Sequence, residues 1–193
     1  MVTAQPLTDL MNFEEVVLRY EKKIYNLTYR MLLNEEDAKD LTQETFLRVY
    51  SSLASFRGDA SLGTYLYRVA TNLCLDLIRR RRYSQGLSLE APGVEGERPL
   101  LERLSDERNG TDQEVERREL QRAVGQAVAA LEEDHRAVII LREYNGLSYE
   151  EIAQVLEIST GTVKSRLNRA KARLRRELFD FLNVKNGKGG GGR

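Results

Sequence analysis

The chain has no tryptophan, one cysteine, one histidine and three prolines in 193 residues. A single thiol, Cys74, cannot build a disulfide framework, and with only His135 beside it a zinc site is not expected. Cys74 reads as a small helix residue rather than a reactive one, and His135 as a surface residue. No apolar run approaches the ~20 residues that span a bilayer as a helix, so no direct membrane insertion is expected. The N-terminus lacks a basic stretch followed by an apolar core, so no secretory signal is expected and the chain reads as cytoplasmic. There is no Gly-rich phosphate loop, metal-ligand cluster or Ser/His/Asp set, so neither an enzyme nor a cofactor is expected. Sustained period-two alternation is missing as well, so strands are not expected and an all-α fold is.

What is present is charge, unevenly placed. Lys and Arg total 30 and Asp and Glu total 30, for a net charge of zero. Residues 57–83 hold six basic and two acidic residues, and residues 135–193 hold twelve and six. Residues 84–134 hold six basic and thirteen acidic, and residues 1–56 hold six and nine. Two basic blocks separated by acidic sequence suggest two contacts with a polyanion.

The second block contains a helix, a short turn and a basic helix between Ser148 and Arg176. Ser148-Tyr149-Glu150-Glu151 is a capping box, in which the Ser148 hydroxyl and the Glu151 carboxylate each satisfy a backbone N–H. The chain breaks at Glu157-Ile158, and either Ser159 or Thr160 can cap the next helix. In that helix Val163, Leu167, Ala170 and Leu174 form one apolar stripe. The opposite face carries Ser165, Asn168, Arg169, Ala172 and Arg176, with Lys164 and Arg175 on its flank. This is how a protein sets one helix in the DNA major groove, where Arg, Lys and Asn read base edges and Ser and further Arg suit phosphates.

Helical periodicity covers most of the remaining chain. Phe13 to Leu33 predicts a first helix. Asn34 caps a second, running to about Tyr50, with Leu41, Phe46 and Leu47 as its apolar positions. A third runs from Leu62 into Arg79-Arg80-Arg81-Arg82 on a stripe of Leu62, Leu66, Val69, Ala70, Leu73 and Leu77. Helices resume near Gln113 and again from Asp134 to about Tyr144. The divisions are a tail (1–12), a helical domain (13–82), a flexible acidic linker (83–112), a second helical domain (113–183) and a disordered Gly-rich tail (184–193). A linker of this composition predicts free relative motion of the two domains.

The first basic block joins the loop Arg57-Gly58-Asp59-Ala60-Ser61 to a helix with Tyr65 and Tyr67 near its start and Arg68, Thr71, Asn72 and Arg79 off the core stripe. Aromatics beside Arg and Asn suit an unstacked base, and a core helix ending in phosphate-binding arginines is the plainer alternative. Here a resemblance enters. Asp40-Leu-Thr-Gln43-Glu-Thr-Phe46, then Phe56-Arg57-Gly58, then Tyr65 through Arg79, is similar to sigma region two. Leu147-Ser148-Tyr-Glu-Glu-Ile-Ala, followed by Gly161-Thr-Val-Lys-Ser-Arg-Leu, is similar to sigma region four. Together they resemble the extracytoplasmic-function (group IV) sigma factors of bacterial RNA polymerase, which keep only these two regions.

The resemblance implies an alternative sigma factor that binds core RNA polymerase, recognises −35 and −10 elements, melts promoter DNA and serves a stress response. It assigns Asp40, Gln43 and Phe46 to the clamp helices of the largest subunit, with the flap region as a further contact. It gives Arg57, Gly58, Asp59, Ala60 and Ser61 to a loop that receives a flipped −10 base. Tyr65, Arg68, Asn72, Asp76 and Arg79 fall on the melting helix, where many relatives carry tryptophan in place of Tyr65. Lys164, Ser165, Asn168 and Arg169 match the −35 reading face, with Arg166 and Lys171 toward its phosphate edges. An anti-sigma factor is the implied inhibitor. The alternative, a stand-alone helix-turn-helix regulator, leaves the Asp40/Gln43/Phe46 helix and the Arg57 loop without a purpose. A sequestering interaction protein leaves both basic faces unused.

Overall fold

The structure is a computed structural model that describes residues 6–53, 61–85 and 112–187. Arg57, Gly58, Asp59 and Ala60 of the expected base-receiving loop lie outside the described residues. So do the acidic segment 86–111 and residues 188–193 of the expected Gly-rich tail. The described residues form α1 (Pro6–Leu32), α2 (Glu35–Ser52), α3 (Leu62–Gln85), α4 (Asp112–Ala129), α5 (Glu133–Ile139), α6 (Tyr149–Leu156) and α7 (Thr160–Gly187). Among them there is no strand, and no helix is long and apolar enough to cross a membrane.

The first module is α1, α2 and α3, each in contact with the other two. Leu33 takes a left-handed φ of 59° to turn the chain out of α1. Asn34 then caps α2, its Oδ1 accepting from the Asp37 N–H at 2.9 Å, while Glu35, Glu36 and Asp37 put negative charge at the helix's positive end. Ile24, Leu27 and Met31 of α1 meet Val49, Leu66 and Ala70 in the core. Two buried threonines join α1 to α2: the Thr28 hydroxyl lies 3.1 Å from that of Thr42 and donates to the Ala38 carbonyl. The Tyr20 side chain of α1 reaches over Gly63 of α3, where an added Cβ would sit 2.5 Å from its hydroxyl. A bidentate pair from Arg81 to Asp37, at 2.7 and 2.8 Å, ties the end of α3 to the start of α2.

The second module is α4 to α7. The helix expected from Asp134 to Tyr144 divides: α5 ends at Ile139 and a π-helical segment covers Ile140–Tyr144. The Asn145 N–H reaches back five residues to the Ile140 carbonyl at 3.1 Å, which widens the last turn by a residue. Gly146 reverses the chain at a φ of +73°, and the predicted capping box at Ser148 and Glu151 forms in both directions, at 3.1 and 2.7 Å. α7 continues to Gly187, beyond the expected domain edge.

The two modules pack together, which differs from the expected independent motion. α3 lies against α6, α1 touches the π segment, and a single cluster of buried apolar residues runs from Ile24 to Ala170. Arg136 is the main stitch. Its guanidinium donates to the Met31 carbonyl of α1 at 2.7 Å and to the carbonyls of Ala129 and Leu131 in its own module at 2.6 and 3.0 Å. The composition of the acidic linker could not reveal this, because the closure comes from groups in the modules themselves.

Candidate nucleic-acid interface

α7 presents the basic face that its sequence pattern required. Val163, Leu167 and Ala170 are buried, Leu174 is partly so, and Lys164, Ser165, Asn168 and Arg169 are exposed together on the other side. Ser159 makes the cap, its Oγ accepting from the Thr162 N–H at 3.1 Å, so Thr160 is the first helical residue. The turn before it holds Glu157 at a φ of 54°, and the Ile158 N–H closes on the Ala153 carbonyl at 3.1 Å. This left-handed residue sets the angle at which α7 leaves α6. Arg166 and Lys171, read as phosphate-facing, already hold carboxylates of their own module: Asp134 at 2.5 Å and Glu143 at 2.9 Å. They brace α7 against α5 and the π segment, and a phosphate contact from either must share or displace its carboxylate.

On α3 the predicted residues divide by face, and Thr71, expected off the core stripe, is buried instead. Asn72, Asp76 and Arg79 are exposed, and Asp76 lies 3.7 Å from Arg79. The same stripe continues through Arg80 to Tyr83, which is 82% exposed, so the polar face is one turn longer than the sequence suggested. An exposed tyrosine that closes an arginine run was the available signal. Tyr65 is half-buried, with its hydroxyl 3.0 Å from that of Ser52 and the Arg68 guanidinium over its ring at 5.1 Å. Ser61 caps α3 by accepting from the Thr64 N–H at 3.1 Å. Cys74 is fully buried, and burial, with Asp37 nearby, pushes its thiol well up from the ordinary range.

The outer face of α2 is a third surface. Glu36, Asp40, Gln43 and Leu47 fall at spacings of four, three and four and are all exposed. Phe46 does not join them: it is buried, with its ring 6.4 Å from that of Phe13, edge to face. Leu47, expected on the apolar side, is 64% exposed instead. Periodicity allowed either neighbour to face inward, and the aromatic cluster of Phe13, Phe46 and Tyr50 settles it.

A capped helix-turn-helix with an exposed basic face, joined to a second helical module with its own exposed polar face, defines a two-module DNA-binding transcription factor. Comparisons place it more closely. Residues 16–83 match Sigma-70 region 2 and residues 121–174 match Sigma-70, region 4. The chain is 38% identical over 169 residues to the ECF RNA polymerase sigma factor SigW of Bacillus subtilis, covering 88% of this chain and 90% of that protein. It is 36% identical over 178 residues to the RNA polymerase sigma-H factor of Pseudomonas aeruginosa, covering 90% of each. The fold matches the sigma factor RpoE of Bartonella quintana, solved with the anti-sigma factor NepR, at a TM-score of 0.65 and 23% identity, over 86% of this chain and 96% of that one. The chain belongs to the extracytoplasmic-function sigma factors of the sigma-70 family. It is therefore an alternative sigma factor, which binds core RNA polymerase and directs promoter-specific initiation, and not a stand-alone regulator.

Proposed function

We propose that the three faces divide the work of initiation. The α2 stripe of Glu36, Asp40, Gln43 and Leu47 docks on the clamp helices of the polymerase largest subunit, with Phe46 holding the stripe in place from beneath. A polar rim around one exposed leucine suits such an interface, where charge sets register and on-rate. The flap region meets the second module. The α3 face of Arg68, Asn72, Asp76 and Arg79, lengthened by Arg80 and Tyr83, takes the opened −10 strand together with Tyr65 and the loop from Arg57 to Ser61. α7 enters the major groove at the −35 element, with Lys164, Asn168 and Arg169 at base edges and Ser165 at a phosphate.

The protein does no covalent chemistry in this reading, needs no cofactor and works in the cytoplasm. The two working domains are taken as residues 13–82 and 113–183, although the helices at their edges begin at Pro6 and Asp112 and end at Gln85 and Gly187. An anti-sigma factor completes the set of partners, as NepR does for the Bartonella RpoE, and release from it links the protein to a stress response. The observation that carries the reading is the pair of exposed polar faces on separate modules, one with base-reading side chains on a groove-sized helix and one with an aromatic among arginines.

Permanganate footprinting of sigma–polymerase–promoter complexes tests the division of labour. Asn72→Ala and Arg79→Ala are expected to leave complexes formed but thymines at −10 unreactive. Lys164→Ala and Asn168→Ala are expected to reduce complex formation itself. If both pairs fail at the same step, the assignment is wrong.

A further inference from the structure

α7 carries six exposed cations between Lys164 and Arg176, and one of them is already occupied. Lys171 Nζ lies 2.9 Å from a carboxylate oxygen of Glu143, and both side chains are about half-exposed. Among the described residues, Lys164, Arg169, Arg173, Arg175 and Arg176 pair with no carboxylate. Lys171 is not at the margin of the face. Lys164, Asn168, Lys171 and Arg175 follow spacings of four, three and four, so they form one exposed stripe. Lys164 and Asn168 are the side chains assigned above to base edges, and Lys171 lies one turn further along. A lysine there meets the DNA backbone as the helix leaves the groove. The Glu143 carboxylate stands where that phosphate would bind.

Its backbone holds it there. Glu143 belongs to the π-helical segment Ile140–Tyr144. Three backbone bonds close that segment: Asn145 N–H to the Ile140 carbonyl at 3.1 Å, Gly146 N–H to Arg142 at 3.2 Å and Leu147 N–H to Leu141 at 3.1 Å. The Arg142 side chain adds a bond to the Leu147 carbonyl at 2.6 Å and lies over the Tyr149 ring at 5.0 Å. Ile140 and Leu141 are fully buried beneath. An acid on so fixed a turn loses little freedom in reaching Lys171.

As a stability device the pair does little, because exposed ion pairs are screened and contribute little to folding. The neighbouring Arg166–Asp134 pair differs: Arg166 is only 25% exposed and needs an anion where water is scarce. Toward DNA, Glu143 has an effect of definite sign. Counterion release drives backbone binding in proportion to the cations presented, and a cation paired in advance presents no net charge. Glu143 also sets a like charge beside the incoming phosphate.

We infer that Glu143 competes with the DNA backbone for Lys171, and so limits how tightly α7 grips duplex DNA without altering which bases it reads. The inference rests on α7 being the −35 helix. It makes the π segment, which meets no base in that reading, a determinant of promoter affinity. A phosphate contact carries no sequence information, so the handicap falls equally on every −35 sequence. Asn168 and Arg169 are left to decide among them.

The test uses holoenzyme assembled from core polymerase and the full chain. Its binding to a promoter duplex that it transcribes is measured over a salt series, cold enough to keep the duplex closed. Glu143→Gln keeps the side-chain shape and should tighten binding about threefold to tenfold. It should also steepen the fall of log K with log salt by about 0.9. The gain should be one common factor across a panel of singly substituted −35 sequences. Adding Lys171→Ala should remove the gain and bring affinity and slope back near the wild-type values, because the pair and its double replacement both carry zero charge. The melting temperature of Glu143→Gln should move by less than about 2 °C. Unchanged or weaker binding by Glu143→Gln would overturn the inference, and weaker binding with a lower melting temperature would mark a structural brace instead. A gain that survives Lys171→Ala, or that differs from base to base, would overturn it as well. If wild-type holoenzyme held the promoter no better than a duplex with a scrambled −35 element, the −35 reading would fall, and the inference with it.

Discussion

Single residues carry both strain and insulation in this protein. Glu157 sits at a φ of 54°, where a side chain costs about 1–2 kcal/mol, and its ion pair with Arg68 is exposed and worth little. Glu157→Gly gives back part of the relief through greater unfolded-state freedom, so a net gain of about 0.5–1 kcal/mol is expected in urea unfolding. Cys74 illustrates insulation. Burial raises its thiol far above neutral pH, so the reactive thiolate is scarce and the atom is covered. A disulfide reagent should modify it slowly in the native protein and promptly in denaturant; rapid native labelling would contradict its placement. At the reading face, Asn168→Ala should cost about 1–3 kcal/mol of discrimination at one −35 base pair, measured by binding to a set of singly substituted promoters. A uniform loss across all positions would instead mark Asn168 as a phosphate contact.

At the scale of elements, local chemistry decides most of what could be read in advance. The Ser148–Glu151 box, the Asn34 cap and the α7 stripe depend on neighbours within four residues, and each forms as the pattern requires. Ser148→Ala should cost about 1 kcal/mol and loosen α6 in hydrogen exchange. The π segment was not legible, since its apolar spacing fits an α-helix and contacts with α1 and α3 select the wider turn. Leu47 and Phe46 exchanged roles because periodicity constrains a face to within about one residue, and Phe13 chose between them. The approach of the Tyr20 side chain to Gly63 is equally non-local. Gly63→Ala should destabilise the first module by about 1–3 kcal/mol in thermal melts. Tyr20→Phe should restore part of that loss, because the hydroxyl is the nearest obstacle. No rescue would mean that the helices, rather than the tyrosine, are forced apart.

Over the whole molecule, the charge distribution and the contacts act at different stages. Zero net charge conceals basic blocks at 57–83 and 135–193 with an acidic segment between them. The seam that holds the blocks together uses Arg136, Arg30 and Arg82, residues whose partners lie on distant helices and so left no local sequence signal. Arg166 and Lys171 are similar: their basic character was plain, but Asp134 and Glu143 as partners were not. If the two modules together make a sigma subunit, run-off transcription with purified core polymerase on a pool of promoters will change when this protein is added. New start sites that share −35 and −10 elements should appear only in its presence. Duplex DNA binding without any new start site would mean that the protein is not a sigma subunit.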